Sequence, residues 1–354
     1  MSISFPHKKY PALSIRFLGV LFASALFLFS HTASAATYVS GDISVDTVWT
    51  ATSSPYVVES PIFVNQNIGL TIKEGAVVKF ATGAYIAVRG ALITQGTGVN
   101  TIYFTSIKDD SVGGDTNGDG NASSPAAGDW YFIKFGSTSV GNFSNTAIRY
   151  AGMSWGGLTT AVYNDGGDIT ISDSQITNSK YGVYQSSGSL NINASEISDQ
   201  IFGVEVEGGT ATISQSSIHN NTDFGVLTSG FATDLTLNNN TFSLNARDVF
   251  VSGANFTHSN NSSLSGSGRG FHISGNITSN RTWTKDNMPY VIWSPIIVNP
   301  GVTLTIDPAV IVKFSPSTFL NIHGALQTSG TAADEAYFTS IKDDSVGGDT
   351  NGDG

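Results

Sequence analysis

The twelve residues DDSVGGDTNGDG stand at 109–120 and recur unchanged at 343–354. Within them, DTNGDG has the form Asp-x-Asn-x-Asp-Gly. Side-chain oxygens at alternate positions, with a glycine that permits a sharp turn, suit a hard cation such as Ca²⁺. Asp115, Asn117 and Asp119 are the expected ligands, joined by a backbone carbonyl near Asn121; Asp349, Asn351 and Asp353 are their counterparts. A full EF-hand loop closes with a bidentate Glu at its twelfth position, and here that position is Ala126. The remaining oxygens must come from elsewhere: Asp109, Asp110 and Asp129 are nearest in the first copy, Asp343 and Asp344 in the second. The alternative is a solvated, glycine-rich acidic turn that binds nothing specific. Four aspartates in twelve residues repel one another unless neutralised, which favours the cation. Its expected role is structural, locking the loop against the wall it crosses, with an affinity of about 10⁻⁴–10⁻³ M as in extracellular modules.

Other chemistry is sparse. Glu205 and Glu207 share one strand face but have no carboxylate or basic neighbour on the next repeat, so they read as two solvated surface acids. Glycoside hydrolysis needs a carboxylate pair at a defined separation. His219, His258, His272 and His323 are scattered, and no His/acid pairing recurs that would build a zinc site or activate a nucleophile. Lys79 and Lys313 interrupt apolar strands and read as outward-pointing residues. No catalytic residue is assigned.

The elements that position the acidic loops come from two kinds of repeat. Residues 37–120 align with 271–354 without a gap, Gly41 matching Gly275 and Asp109 matching Asp343. Between them, ISDSQITNSKYGVYQ (171–185), INASEISDQIFGVEV (192–206) and ISQSSIHNNTDFGVLT (213–228) follow at 21 or 22 residues, with a weaker copy at 237–251. A period just above twenty, made of strand triplets and Asn/Gly turns, indicates a solenoid. With no helix-period stretch, the solution is a parallel β-helix. Ile171, Ile192 and Ile213 form one inward column, Ile176, Ile197 and Ile218 a second, and Val183, Val204 and Val226 a third. Tyr181, Phe202 and Phe224, two residues before the valines, read as core by strand alternation. Gly182, Gly203 and Gly225 are placed at backbone bends, and Asn178, Asp199 and Asn221 in a turn ladder. Trp49/Trp283 and Pro55-Tyr56/Pro289-Tyr290 mark the start of each long module as a cap.

These rungs, and the block LTI…VVKF…GAL…GT…YFTS, resemble the secreted bacterial right-handed parallel β-helix repeat proteins of the pectin-lyase-like superfamily. The resemblance covers most of residues 49–354 and implies an all-β, right-handed parallel β-helix with coils of about 21–24 residues in tandem modules. It implies little about activity, because the superfamily spans polysaccharide lyases, glycoside hydrolases, epimerases, adhesins and passive stalks. The Asp-x-Asn-x-Asp-Gly stretch itself is similar to the loops of dockerins and thrombospondin type 3 repeats.

Compartment and partners follow from the N-terminus and composition. Lys8, Lys9 and Arg16, the apolar run FLGVLFASALFLF (17–29) and Ala-Ser-Ala at 33–35 read as a signal peptide spanning 1–35, cleaved after Ala35. The chain is then secreted or held at the cell surface, with no membrane span after cleavage. Losing those three basic residues takes the net charge from −11 to −14, which repels phosphate backbones and excludes nucleic acid as a natural partner. With no cysteine, stability rests on packing and metal ions. The expected organisation is a first module at 36–129 with its acidic loop at 107–129, short-coil rungs at 130–269, and a second module at 270–354 truncated at its loop, all within a longer chain. The expected function is a non-catalytic, calcium-stabilised surface stalk or adhesion module. The alternative is a carbohydrate-active enzyme or a carbohydrate-binding β-helix, with extracellular or cell-surface polysaccharide as partner.

Overall fold

The computed structural model describes residues 1–2, 35–253 and 255–354. The expected signal peptide falls almost wholly outside the described residues. Among the described residues, all regular structure is strand except one short 3-10 turn, Ala51–Ser53. No helix among them is long and apolar enough to cross a membrane.

Every strand pairing between coils is parallel, and the chain winds into a β-helix. One wall is a ten-stranded sheet that includes Ile102–Ser106, Thr146–Arg149, Gln175–Thr177, Glu196–Ser198 and Ser217–His219. The other walls are two ladders of a seventeen-stranded sheet. The first runs through Ile62–Val64, Ile86–Val88 and Ile133–Phe135; the second runs through Gly69–Lys73, Ala91–Gln95 and Val140–Ser144. In the rungs, single long strands such as Tyr181–Asn193 and Phe202–Ser214 bend to serve both ladders.

The expected columns exist. Ile171 pairs with Ile192 and Ile192 with Ile213; Ile176, Ile197 and Ile218 stack likewise, as do Val183, Val204 and Val226. All nine side chains are buried. Each step along the axis is about 4.8 Å, so a methylated side chain meets its own kind directly above and below. The corners turn on single left-handed residues. Asp173, Ala194, Gln215 and Asn239 hold positive φ at one corner, and Asn178, Asp199, Asn220 and Leu244 at the next. Asn and Asp tolerate that region best; Ala194 and Leu244 show the stack imposing it.

Polar residues beside these corners form buried ladders. The Thr146, Ser174, Ser195 and Ser216 amides donate in turn to Ser174 Oγ, Ser195 Oγ, Ser216 Oγ and Asn240 Oδ1 on the next coil, at 3.0–3.2 Å. Asn240 then donates to Asn261, and Asn261 to the buried Asp286, which also pairs with His258 at 2.7 Å. These corner amides thereby find partners within the protein itself.

Three expectations are corrected. The extra residue of the 22-residue rung falls after the corner, so Asn220 keeps the regular spacing and occupies the left-handed column with Asn178 and Asp199, while Asn221 joins the buried ladder by donating to Asn245. Tyr181, Phe202 and Phe224 do stack, with ring centroids 4.6 and 5.6 Å apart. They are only half-buried, however: Gly182 and Val183 are buried in succession, so the inward-outward alternation does not carry back to Tyr181. Nor do Gly182 and Gly203 sit at bends; they lie within strands, where a Cβ would meet the carbonyl oxygen of the next glycine at 2.3 and 2.5 Å. Close stacking, not a turn, requires them.

The second module is rotated by one wall relative to the first. Tyr56–Val58, Val77–Phe80 and Ile102–Ser106 stand in the ten-stranded sheet. Their counterparts Tyr290–Ile292, Ile311–Phe314 and Tyr337–Ser340 continue the first ladder of the larger sheet. The internal geometry survives the rotation: Trp49 stacks on Tyr56, and Trp283 on Tyr290, each at 4.7 Å.

Candidate metal centre

The first acidic loop leaves the strand Ile102–Ser106 and returns at Ile133–Phe135. What seats it is a lysine of the strand Val77–Phe80. Lys79 faces outward from its strand, yet it is fully buried because the loop lies across it. Its ammonium donates to the Gly114 carbonyl. A Cβ on Gly113 would meet Pro55, Val77 and Lys79 at 3.2–3.3 Å, so glycine lets the backbone close over the lysine. Lys313 repeats the device, donating to Asp343 O at 2.9 Å, Gly348 O at 2.6 Å and Thr350 Oγ1 at 2.8 Å. Burial lowers both lysine pKa values, and the nearby aspartates, Asp110 and Asp344 first, partly restore them.

Of the expected ligands, the structure gathers Asp110, Asp115 and Asp119: one carboxylate oxygen from each lies within 4.8 Å of the others. A point equidistant from oxygens at that spacing is within about 2.8 Å of each, slightly beyond the 2.3–2.6 Å at which Ca²⁺ is bound. Asp344, Asp349 and Asp353 repeat the group. Asp110 Oδ1 and Asp119 Oδ1 are buried atoms with no hydrogen-bond partner. Burial pushes the Asp110 pKa up, and Asp115 and Asp119 push it further, so this carboxylate lacks a positive neighbour sufficient to hold its charge. Asp115 also shapes the turn. Its Oδ1 accepts from the amides of Gly118 at 2.7 Å and Asp119 at 3.2 Å, and its Oδ2 from Gly120 at 2.8 Å. Asn117 sits at the edge of the group, its amide donating to Asp119 Oδ2 at 2.9 Å and Ser123 Oγ at 3.1 Å. Asn351 bonds Asp353 in the same way, at 2.8 Å.

Asp109 and Asp129 are not brought into the group. Asp109 is buried and accepts from Thr105 Oγ1 and Ser111 Oγ, both at 2.5 Å, and from Arg149 Nη2 at 2.6 Å. Asp129 pairs with Lys108 at 2.8 Å and accepts from Ser106 Oγ at 2.7 Å. Asp343 binds Thr339 Oγ1 and Ser345 Oγ. These three brace the base of each loop.

A second feature is only partly legible in the sequence, which places Tyr184, Glu205, Leu227 and Phe250 outward but not the residues before them. On the outward face of the first ladder, one register row reads Phe63, Ala87, Lys134, Tyr163, Tyr184, Glu205, Leu227 and Phe250. Beside it lies a cleft of about 490 Å³ lined by Phe63, Tyr85, Arg89, Phe132, Lys134, Trp155 and Asp165. Trp155 is 47% exposed, with Phe132 edge-on beneath it at 5.9 Å. Arg89 lies over Phe63 at 4.8 Å, and Lys134 pairs with Asp165 at 2.8 Å while covering Tyr163. Further along the face, Tyr184 bonds Glu207. Burial raises the Glu205 pKa against the bond from Ser229, with Glu207 adding to the rise. The available signal was the aromatic run DWYFIKF and the alternation of Tyr85 with Ala87 and Arg89, but only coil stacking joins them. The second module does not keep the cleft: Phe63, Tyr85 and Arg89 become Ile297, Phe319 and His323.

Residues 159–294 match the family described as "right handed beta helix region". Comparison with curated proteins and with solved structures gives no match. The fold is a right-handed parallel β-helix, and the chain is a β-helix repeat protein.

Proposed function

We propose that this chain is an exported, non-catalytic β-helix module, a surface stalk or adhesion element whose acidic loops are locked by Ca²⁺. The observation that carries this reading is the recurrence, on two different walls of the solenoid, of one three-carboxylate group seated over one buried lysine. Copies of a stalk add reach, and each copy needs its own lock. The ion would be held by Asp110, Asp115 and Asp119 in the first loop and by Asp344, Asp349 and Asp353 in the second. It would supply charge neutralisation and fix the loop tip. The test is thermal unfolding in calcium and in chelator, for the parent and for the double variant Asp115→Ala/Asp349→Ala. Calcium should raise the melting temperature of the parent alone. Equal melting of the parent in both conditions would refute the lock.

The aromatic cleft favours a second reading, carbohydrate binding. Exposed Trp155 and half-buried Phe63 and Tyr85, flanked by Arg89, Lys134 and Asp165, offer a stacking surface and hydrogen-bonding groups along about four coils, roughly 19 Å of axis. Binding to a polysaccharide panel, lost in Trp155→Ala, would support it. Equal retention by the parent and Trp155→Ala would remove it.

A further inference from the structure

The chain is rich in asparagine, yet Asn-Gly occurs only at Asn117-Gly118 and Asn351-Gly352, once in each acidic loop. That dipeptide is the one in which no side chain obstructs attack by the following amide nitrogen on the asparagine side chain. We propose that Asn117 and Asn351 are sites of spontaneous deamidation, gated by the hydrogen bonds of the loops that contain them.

In the reaction, the Gly118 nitrogen loses its proton and attacks Asn117 Cγ, forming the N–Cγ bond of a succinimide. The bond from Cγ to Nδ2 breaks, and ammonia leaves. Water then adds to one of the two ring carbonyls, giving aspartate or isoaspartate. No oxidant or other co-reactant is required.

The folded loop restrains both ends of this step. The attacking nitrogen donates to Asp115 Oδ1 at 2.7 Å, which holds its proton against a carboxylate. The departing nitrogen donates to Asp119 Oδ2 at 2.9 Å and to Ser123 Oγ at 3.1 Å. The second loop repeats the restraint, Gly352 N to Asp349 Oδ1 at 2.6 Å and Asn351 Nδ2 to Asp353 Oδ2 at 2.8 Å. Ring closure therefore waits on loop opening, and conversion records that opening irreversibly. One consequence rests on the cation reading given above. The aspartate product adds a charged ligand at the edge of the three-carboxylate group, whereas isoaspartate inserts a backbone carbon into the turn and spoils it.

The test is prolonged incubation of the folded protein at mildly alkaline pH in chelator, followed by digestion and mass-spectrometric counting of every asparagine. Conversion should appear at 117 and 351 before any other position. Asp115→Ala should accelerate it several-fold at 117 while leaving 351 unchanged, and Asp349→Ala should do the reverse, so each copy controls for general unfolding in the other. Earlier conversion of other asparagines, or Asp115→Ala that speeds both sites or neither, overturns the proposal. A parallel incubation in calcium separates the two ideas. If calcium fails to slow conversion while the variants behave as stated, the cation reading falls and the gating stands.

Discussion

Asp109 and Asp110 are adjacent in sequence, chemically identical and members of one acidic loop, yet the structure assigns their removal opposite signs. Asp109 is 1% exposed, and its carboxylate accepts from two hydroxyls, the Ser111 amide and the Arg149 guanidinium. Breaking a buried ion pair by deleting one partner costs about 3–5 kcal/mol. The Arg149 side chain keeps 20% exposure and lies over the Tyr103 ring, so water and the ring take up part of its charge. Asp109→Ala should therefore fall near the lower bound, about 3 kcal/mol. Asp109→Asn keeps an acceptor for the hydroxyls and loses the charge-assisted part, about 1.5 kcal/mol. Asp110 has a buried oxygen with no partner and stands beside Asp115 and Asp119. Deleting it relieves repulsion, and Asp110→Ala should match or exceed the parent in chelator.

The pH dependence separates them further. Burial pushes the Asp109 pKa up, but the Ser111 and Thr105 hydroxyls and Arg149 more than offset it, leaving it below the ordinary 3.8. Its contribution is present above that ordinary value and is lost as pH falls through the lower folded one. Asp110 has a raised pKa, so its contribution is present only below the ordinary value and is lost as pH rises through the elevated one. The assay is urea unfolding followed by circular dichroism, in chelator, from pH 3 to 7. An Asp109→Ala protein within roughly 0.5 kcal/mol of the parent at neutral pH, or an Asp110→Ala protein as destabilised as Asp109→Ala, would refute the reasoning.

Ile192→Ala empties one position of a fully buried column between Ile171 and Ile213 and should cost about 3–4 kcal/mol in the same urea assay. Lys79→Met keeps the buried stem but removes the bond to Gly114, so amide exchange at residues 113–120 should accelerate while exchange in the strands is unchanged. Burial pushes the Asp248 pKa up to about 6. Its favourable term is thus present below the ordinary 3.8 and lost as pH rises through 6, and Asp248→Asn should flatten stability across that window in a pH series of melts. At a calcium concentration a hundredfold above the dissociation constant, each intact loop should add about 2.7 kcal/mol, measurable by titration calorimetry and melting together.

What was legible in the sequence is what repeats along the axis. Ile171, Ile192 and Ile213 announce themselves because stacking forces the same residue into the same place at a fixed interval, and a column needs no knowledge of the third dimension. The misreadings share a cause: they needed geometry within a coil. Asn221 was placed one position out because the extra residue of the 22-residue rung falls after the corner, between Asn220 and Phe224, and sequence alone does not say on which side. Phe202 was placed in the core because strict alternation was carried through Gly203, where the strand departs from it. Lys79 does point outward as expected, but its burial was not legible because its cover, the loop around Gly114, lies thirty-five residues away. The aromatic cleft draws on coils at 63, 85–89, 132–137, 155 and 165, an assembly with no internal period to reveal it.

The two modules turn that contrast into a functional argument. Where the loop is concerned, twelve residues are identical in both copies, and the buried lysine, the three-carboxylate group and the Asp115-type turn return even though the module has rotated by one wall. A feature that survives such relocation depends on its own module and not on its neighbours, as expected of a local lock. The cleft behaves otherwise. Its Phe63, Tyr85 and Arg89 are replaced by Ile297, Phe319 and His323 in the second copy, and its floor in the first copy is supplied by Phe132 and Lys134 from the coil after the loop. A site that depends on the stacking of one particular stretch is specific to that stretch, so any ligand it holds should be bound once per chain, whereas calcium should be bound once per module. Binding stoichiometry therefore distinguishes the two features directly: two calcium ions against one saccharide chain, with equal numbers of each contradicting the division between lock and cleft.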